Sequence, residues 1–247
     1  MISKKIKLNY LLPNLFTASS IFVAVVSIIS ASSGNFEKAG WFILLSLILD
    51  GLDGKVARLT KGESKFGVEF DSLADIVAFG VAPAMLIYFQ IGLNYGKFGI
   101  LISALYVVFG AIRLARFNIT TSKIEPNIFI GLPIPAAAMF LVSLSLLESK
   151  YELKFIEPLI LFLVLIISLL KVSNIRYASF KKVSLSKSVS FKALIALILV
   201  ASLFYLMPIE ALNILFISYV ASGPIRAIYS IKRGIRIKKL NEKNHTF

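Results

Sequence analysis

The sequence predicts an all-α protein, a polytopic integral-membrane bundle of about eight transmembrane helices with both termini cytoplasmic. Three observations carry that expectation. Hydrophobic residues fill 57% of the 247 positions and charged residues only 16%, with 20 Phe and a mean hydropathy of +0.84. A soluble domain needs more surface charge than that. The apolar residues fall in runs of about 20, the length that crosses a bilayer as helix. The basic residues collect in the short loops between those runs, mostly on one side.

The first run, 12–31, follows the basic start Met1–Lys7. That start and the small residues near Ala31 would suit a signal peptide, but the long apolar run and the seven behind it favour a retained helix. The second run, 38–58, ends in Asp50, Asp53 and Arg58, and a short turn around Lys61–Ser64 leads to the third, 68–90, which opens with Asp71 and Asp75. The fourth, 97–118, ends in Arg113 and Arg116. The fifth, 131–148, carries Pro133 and Pro135 in its first turn, where proline costs no hydrogen bond. After the sixth, 153–171, comes the longest loop, Val172–Lys192, which holds basic residues and serines but no acid. It is expected to lie against anionic headgroups, or simply to be a solvated inside loop. Runs 192–208 and 210–231 complete a single membrane domain, 1–231, and residues 232–247 form a basic cytoplasmic tail anchored at the interface. Helices are expected throughout, because an open sheet in lipid leaves its backbone unsatisfied.

With both termini inside, every Lys and Arg except Lys38, Lys97, Lys150 and Lys154 falls on the cytoplasmic side. This spread through short loops explains the net charge of +14 as membrane orientation and argues against a nucleic-acid partner. Cysteine is absent and the lone histidine is His245, in the tail. Chemistry must therefore rest on carboxylates, cations and hydroxyls, and nothing indicates an oxidising compartment.

All four aspartates of the chain lie between Asp50 and Asp75. Asp50 and Asp53 share a helix face with Gly54 and, one turn on, Arg58; Asp71 and Asp75 share a face of the next helix. Four like charges near hydrocarbon repel strongly unless a cation lies between them. An oxygen-only ligand set suits Mg²⁺ or Mn²⁺, and two such ions sharing a bridging carboxylate would clamp a phosphate group. Gly54 and Ala57 would let a phosphate approach the helix, and Arg58 offers a fork for it. Two other readings exist: an aspartate paired with a nearby arginine, and an ion pathway in a divalent-cation transporter.

The stretch reads Asp50-x2-Asp53-Gly54-x2-Ala57-Arg58-x8-Gly67-x3-Asp71-x3-Asp75, and it resembles the signature of the CDP-alcohol phosphatidyltransferase family at every position. The resemblance implies metal-dependent transfer of a phosphatidyl group from a CDP-linked lipid to an alcohol, with release of CMP. "LLPNLFT" near the amino terminus, "DSLADIVAFGVAPA" from Asp71, "RLARFN" at Arg113–Asn118, "GLPIPAAA" at Gly131–Ala138 and "RYASFK" at Arg176–Lys181 are similar to the serine-accepting branch found in bacteria and archaea. CDP-diacylglycerol and L-serine are the implied substrates, with glycerol 3-phosphate or inositol as alternative acceptors.

The same resemblance implies roles. Asp50, Asp53 and Asp71 would hold a first metal, with Asp71 bridging to a second near Asp50 and Asp75. Asp75 would be the general base in a single displacement, or else only a fourth ligand. Gly54, Arg58 and Ser64 would contact the CDP-diacylglycerol donor. Asn14 and Thr17 would do the same, unless they merely bond a neighbouring helix. Arg116 and Arg113 would receive the acceptor's carboxylate, unless they are ordinary positive-inside residues; Lys123 is a weaker candidate, and Arg176, Lys181 and Lys182 would form a basic lid over the site, unless they are held only by headgroup attraction. The family also implies a homodimer among membrane lipids, working at the cytoplasmic face of the cell membrane.

Overall fold

The computed structural model describes residues 8–60, 62, 64–120, 128–178 and 191–244. Among them the helices form eight rods: α1 (Leu8–Ser32), α2 (Phe36–Thr60), α3 (Lys65–Asp75) running through a π turn (Ile76–Val81) into α4 (Ala82–Gln90), then α5 (Gly96–Thr120), α6 (Ile134–Tyr151), α7 (Glu157–Val172), α8 (Phe191–Leu206) and α9 (Pro208–Asn244). Their order matches the predicted segments, and the all-α class holds. Five stretches are long and apolar enough to cross a membrane: Tyr10–Ser32, Lys65–Gln90, Gly92–Ile119, Lys154–Val172 and Pro208–Tyr229.

Position in the bundle follows from composition. Helix α6 is apolar on all sides and is buried along most of its length, which makes it the central post against which α2, α4 and α9 pack. Helices α1 and α2 lie along each other through small residues. Ala24, Ala31 and Ala39 let the backbones approach, and buried hydroxyls bridge them: Ser20 and Ser46 lie 2.7 Å apart, and Ser27 donates to the Ala39 carbonyl at 2.8 Å. In a medium without water, close packing and such bonds replace the hydrophobic drive.

Three details depart from expectation. The fifth helix begins at Ile134 instead of 131, so only Pro135 lies in its first turn and Pro133 precedes it. Residues Ile128–Ile130 (β1) pair antiparallel with Arg176–Ala178 (β2), Phe129 opposite Tyr177, where loops between the runs were expected. Helix α9 continues past residue 231, where a tail was expected, to Asn244. Pro224 inside α9 cannot donate to the Val220 carbonyl, and the buried Tyr177 hydroxyl does so at 3.3 Å. The ribbon is thereby tied to α9. Lys4, Lys5, Lys7, Lys61, Lys123, Lys181, Lys182 and His245 lie outside the described residues.

Gly131 turns the chain from β1 into α6 with φ of +75°. A Cβ there would meet the Lys171 carbonyl and come within 2.8 Å of the Arg116 guanidinium. Gly131→Ala is expected to cost about 1–3 kcal/mol, read as a fall in the melting temperature of the detergent-solubilised protein.

Candidate active site

Helix α2 ends at Thr60, and the chain reverses at once into α3. Ser64 starts α3 as its N-cap, its hydroxyl accepting the Gly67 N–H at 3.0 Å. The reversal brings the end of α2 against the start of α3. Oxygens of Asp50, Asp53 and Asp71 consequently lie within 4.8 Å of one another. Thr17 of α1 donates to Asp53 Oδ2 at 2.7 Å and also stands 3.2 Å from the Pro13 carbonyl. Asp50 Oδ1 is buried without a hydrogen-bond partner. Close, partly buried carboxylates with an orphaned oxygen and no nitrogen or sulfur ligand fit a hard divalent cation. Asp75, one turn beyond Asp71, is outside that trio but feels the charges of Asp50, Asp53 and Asp71.

Beside the trio opens a cavity of about 170 Å³, walled by Asp53, Asp71 and all five residues assigned to the donor: Asn14, Thr17, Gly54, Arg58 and Ser64. Gly54 faces Arg58, whose Nη1 would stand 4.0 Å from a Cβ at position 54. At Gly67 a Cβ would crowd Ser64 Oγ at 3.2 Å and Asn14 Oδ1 at 3.3 Å. Any side chain at 67 would thus push into the wall shared by α1 and α3.

The two arginines of α5 part company. Arg116 is spent on backbone: its guanidinium donates to the carbonyls of Val172 and Ser173 at 3.0 Å, Ile130 at 3.3 Å and Lys171 at 3.4 Å. It therefore caps the end of α7 and holds β1 to it. Arg113 is only 5% exposed, lies within electrostatic reach of Asp75, and leaves its buried Nε without a partner. Arg176 lies exposed in β2.

Two buried residues next to this site had no place in the sequence reading. Lys171, counted there only among the cytoplasmic-side cations, is fully buried in the bundle, and its Nζ donates to the Tyr106 carbonyl at 2.5 Å. Tyr106 is equally buried. The one available signal was a lysine closing a hydrophobic run with no acid nearby.

Thr17→Val removes the hydroxyl that orients Asp53 while keeping the volume. The divalent-cation concentration for half-maximal activity is expected to rise about tenfold in a metal titration.

A family model described as CDP-alcohol phosphatidyltransferase matches residues 10–170, and the chain belongs to that family. It is 52% identical over 224 residues to the CDP-diacylglycerol–serine O-phosphatidyltransferase of Helicobacter pylori strain J99, covering 89% of this chain and 92% of that protein. It is 38% identical over 176 residues to the enzyme of the same name from Bacillus subtilis strain 168, covering 71% and 93%. The archaetidylserine synthase of Methanothermobacter thermautotrophicus is 36% identical over 179 residues, covering 72% and 73%.

Proposed function

We propose that this protein transfers the phosphatidyl group of CDP-diacylglycerol to the hydroxyl of L-serine, releasing CMP and forming phosphatidylserine. The carrying observation is the Asp50–Asp53–Asp71 trio on a cavity walled by the donor-binding residues, in a chain half identical to a serine-using enzyme.

Asp50, Asp53 and Asp71 would hold Mg²⁺ or Mn²⁺, with Asp75 completing a second position. Metal held by these carboxylates would supply positive charge opposite the pyrophosphate and the departing CMP. Arg58 grips a phosphate oxygen against the bare face of Gly54, Ser64 and Asn14 line the donor's path, and Thr17 fixes the aim of Asp53. Arg113 receives the serine carboxylate beside Asp75, and Asp75 takes the hydroxyl proton. The serine oxygen forms its bond to the lipid-bearing phosphorus as the bond to the CMP oxygen breaks, and CMP leaves with the electron pair. No covalent enzyme intermediate is needed.

In this reading, which the bias of basic residues toward one set of loops supports, the site faces the cytoplasm at the cell membrane, with both termini inside and the basic residues 232–247 at the interface. The donor's acyl chains stay in the bilayer while serine arrives from water. A homodimer within the lipid is part of this reading. Against a transporter stands the use of the acids at the other end of the bundle: Glu148 accepts from Gln90 at 2.5 Å, and Glu210 pairs with Lys150 at 2.5 Å.

The test offers purified protein CDP-diacylglycerol and Mg²⁺ or Mn²⁺ with serine, glycerol 3-phosphate or inositol in separate reactions, and measures CMP. Release with serine alone is expected. Equal release with all three overturns the acceptor, and no release overturns the enzyme.

A further inference from the structure

Directly after Asp75 the helix widens into the π turn Ile76–Val81, where the Ala82 N–H reaches back five residues to the Val77 carbonyl. One extra residue in a turn rotates everything beyond it by about 100°. Asp71 and Asp75 can therefore face the carboxylate site while Ala78, Phe79, Ala82 and Leu86 still bury themselves in the core. Such turns are uncommon, and their hydrogen bonding is looser than that of an α-helix. An outside donor holds this one: the Tyr106 hydroxyl donates to the Phe79 carbonyl at 3.2 Å, with both residues fully buried.

Tyr106 is itself braced. The Lys171 ammonium donates to its carbonyl at 2.5 Å and stands 3.2 Å from its ring centroid, a cation–π contact. No carboxylate lies within ion-pair distance of Lys171 among the described residues. Gly110 leaves the room, since a Cβ there would come within 3.5 Å of Nζ. A buried ammonium is costly, and an apolar side chain would fill the space at less expense. Its specific effect is to pin one tyrosine.

We propose that Tyr106, braced by Lys171, is a positioning residue for the transfer: its hydroxyl fixes the π turn behind Asp75 and so sets the aim of that carboxylate. The inference rests on Asp75 acting as the base.

The test compares full-length wild type with Tyr106→Phe, which removes only the hydroxyl and keeps the ring under Lys171. The kcat for serine-dependent CMP release is expected to fall about tenfold, with KM for serine and for CDP-diacylglycerol within about twofold of wild type. Hydrogen exchange at the amides of 77–82 should quicken. Lys171→Met should move both readouts in the same direction, and it carries the test should Tyr106→Phe not fold. Wild-type kcat and unchanged exchange overturn the proposal. So does a raised KM at constant kcat, or a lower melting temperature with full turnover per folded molecule. Asp75→Asn in the same assay separates the two ideas: near-wild-type turnover at saturating metal removes Asp75 as base, whatever Tyr106→Phe does.

Discussion

Asp71→Asn lowers serine-dependent CMP release by about 10³-fold or more at saturating metal, while the protein folds as well as wild type or better. The two halves of this expectation come from one geometry. Asp71 is the member of the trio supplied by α3, and its oxygens meet those of Asp50 and Asp53 from α2 within 4.8 Å. Without it, Asp50 and Asp53 lose the carboxylate that meets them across the reversal. In EDTA, however, the same substitution removes one of several mutually repelling charges, so the melting temperature should stay level or rise. A catalytic loss together with a fall in stability would indicate that the carboxylate holds the helices together instead of holding metal.

Arg113→Lys raises the KM for serine roughly 10- to 100-fold and leaves the KM for CDP-diacylglycerol nearly unchanged. Lysine keeps the charge near Asp75 but loses the planar fork suited to a carboxylate. The orphaned Nε of Arg113 marks a donor awaiting a partner, whereas the guanidinium of Arg116 is committed to four backbone carbonyls. Arg116→Lys is accordingly a stability variant: melting temperature falls and serine KM moves little. Steady-state kinetics at fixed saturating donor, alongside thermal melts of both variants, separates the two roles.

The helical rods were legible because each is a long apolar run closed by charge. The site was legible because its motif is local: spacings of three and four put carboxylates on one face of each helix, and the short link between α2 and α3 leaves them nowhere to go but together. What the sequence hid depends on neighbours distant in the chain. Thr17 bonds Asp53 across 36 positions, and nothing in "LFTASS" distinguishes that threonine from one bonded within its own helix. The strands of the β1–β2 ribbon are three residues each, too short for an alternating pattern to show. The π turn reads "IVAFGV", an apolar stretch equally suited to an α-helix. Arg113 and Arg116 are three apart on α5, and which one meets Asp75 depends on how α5 is rotated against α4 and α7, a tertiary fact.

The most direct measurement follows labelled serine into lipid with purified protein stripped by EDTA and then given Mg²⁺ or Mn²⁺, with Asp53→Ala beside it. The account predicts label in phosphatidylserine, one CMP per lipid formed, only when both metal and CDP-diacylglycerol are present, and none with Asp53→Ala. Incorporation at an undiminished rate in EDTA, or by Asp53→Ala, would contradict it.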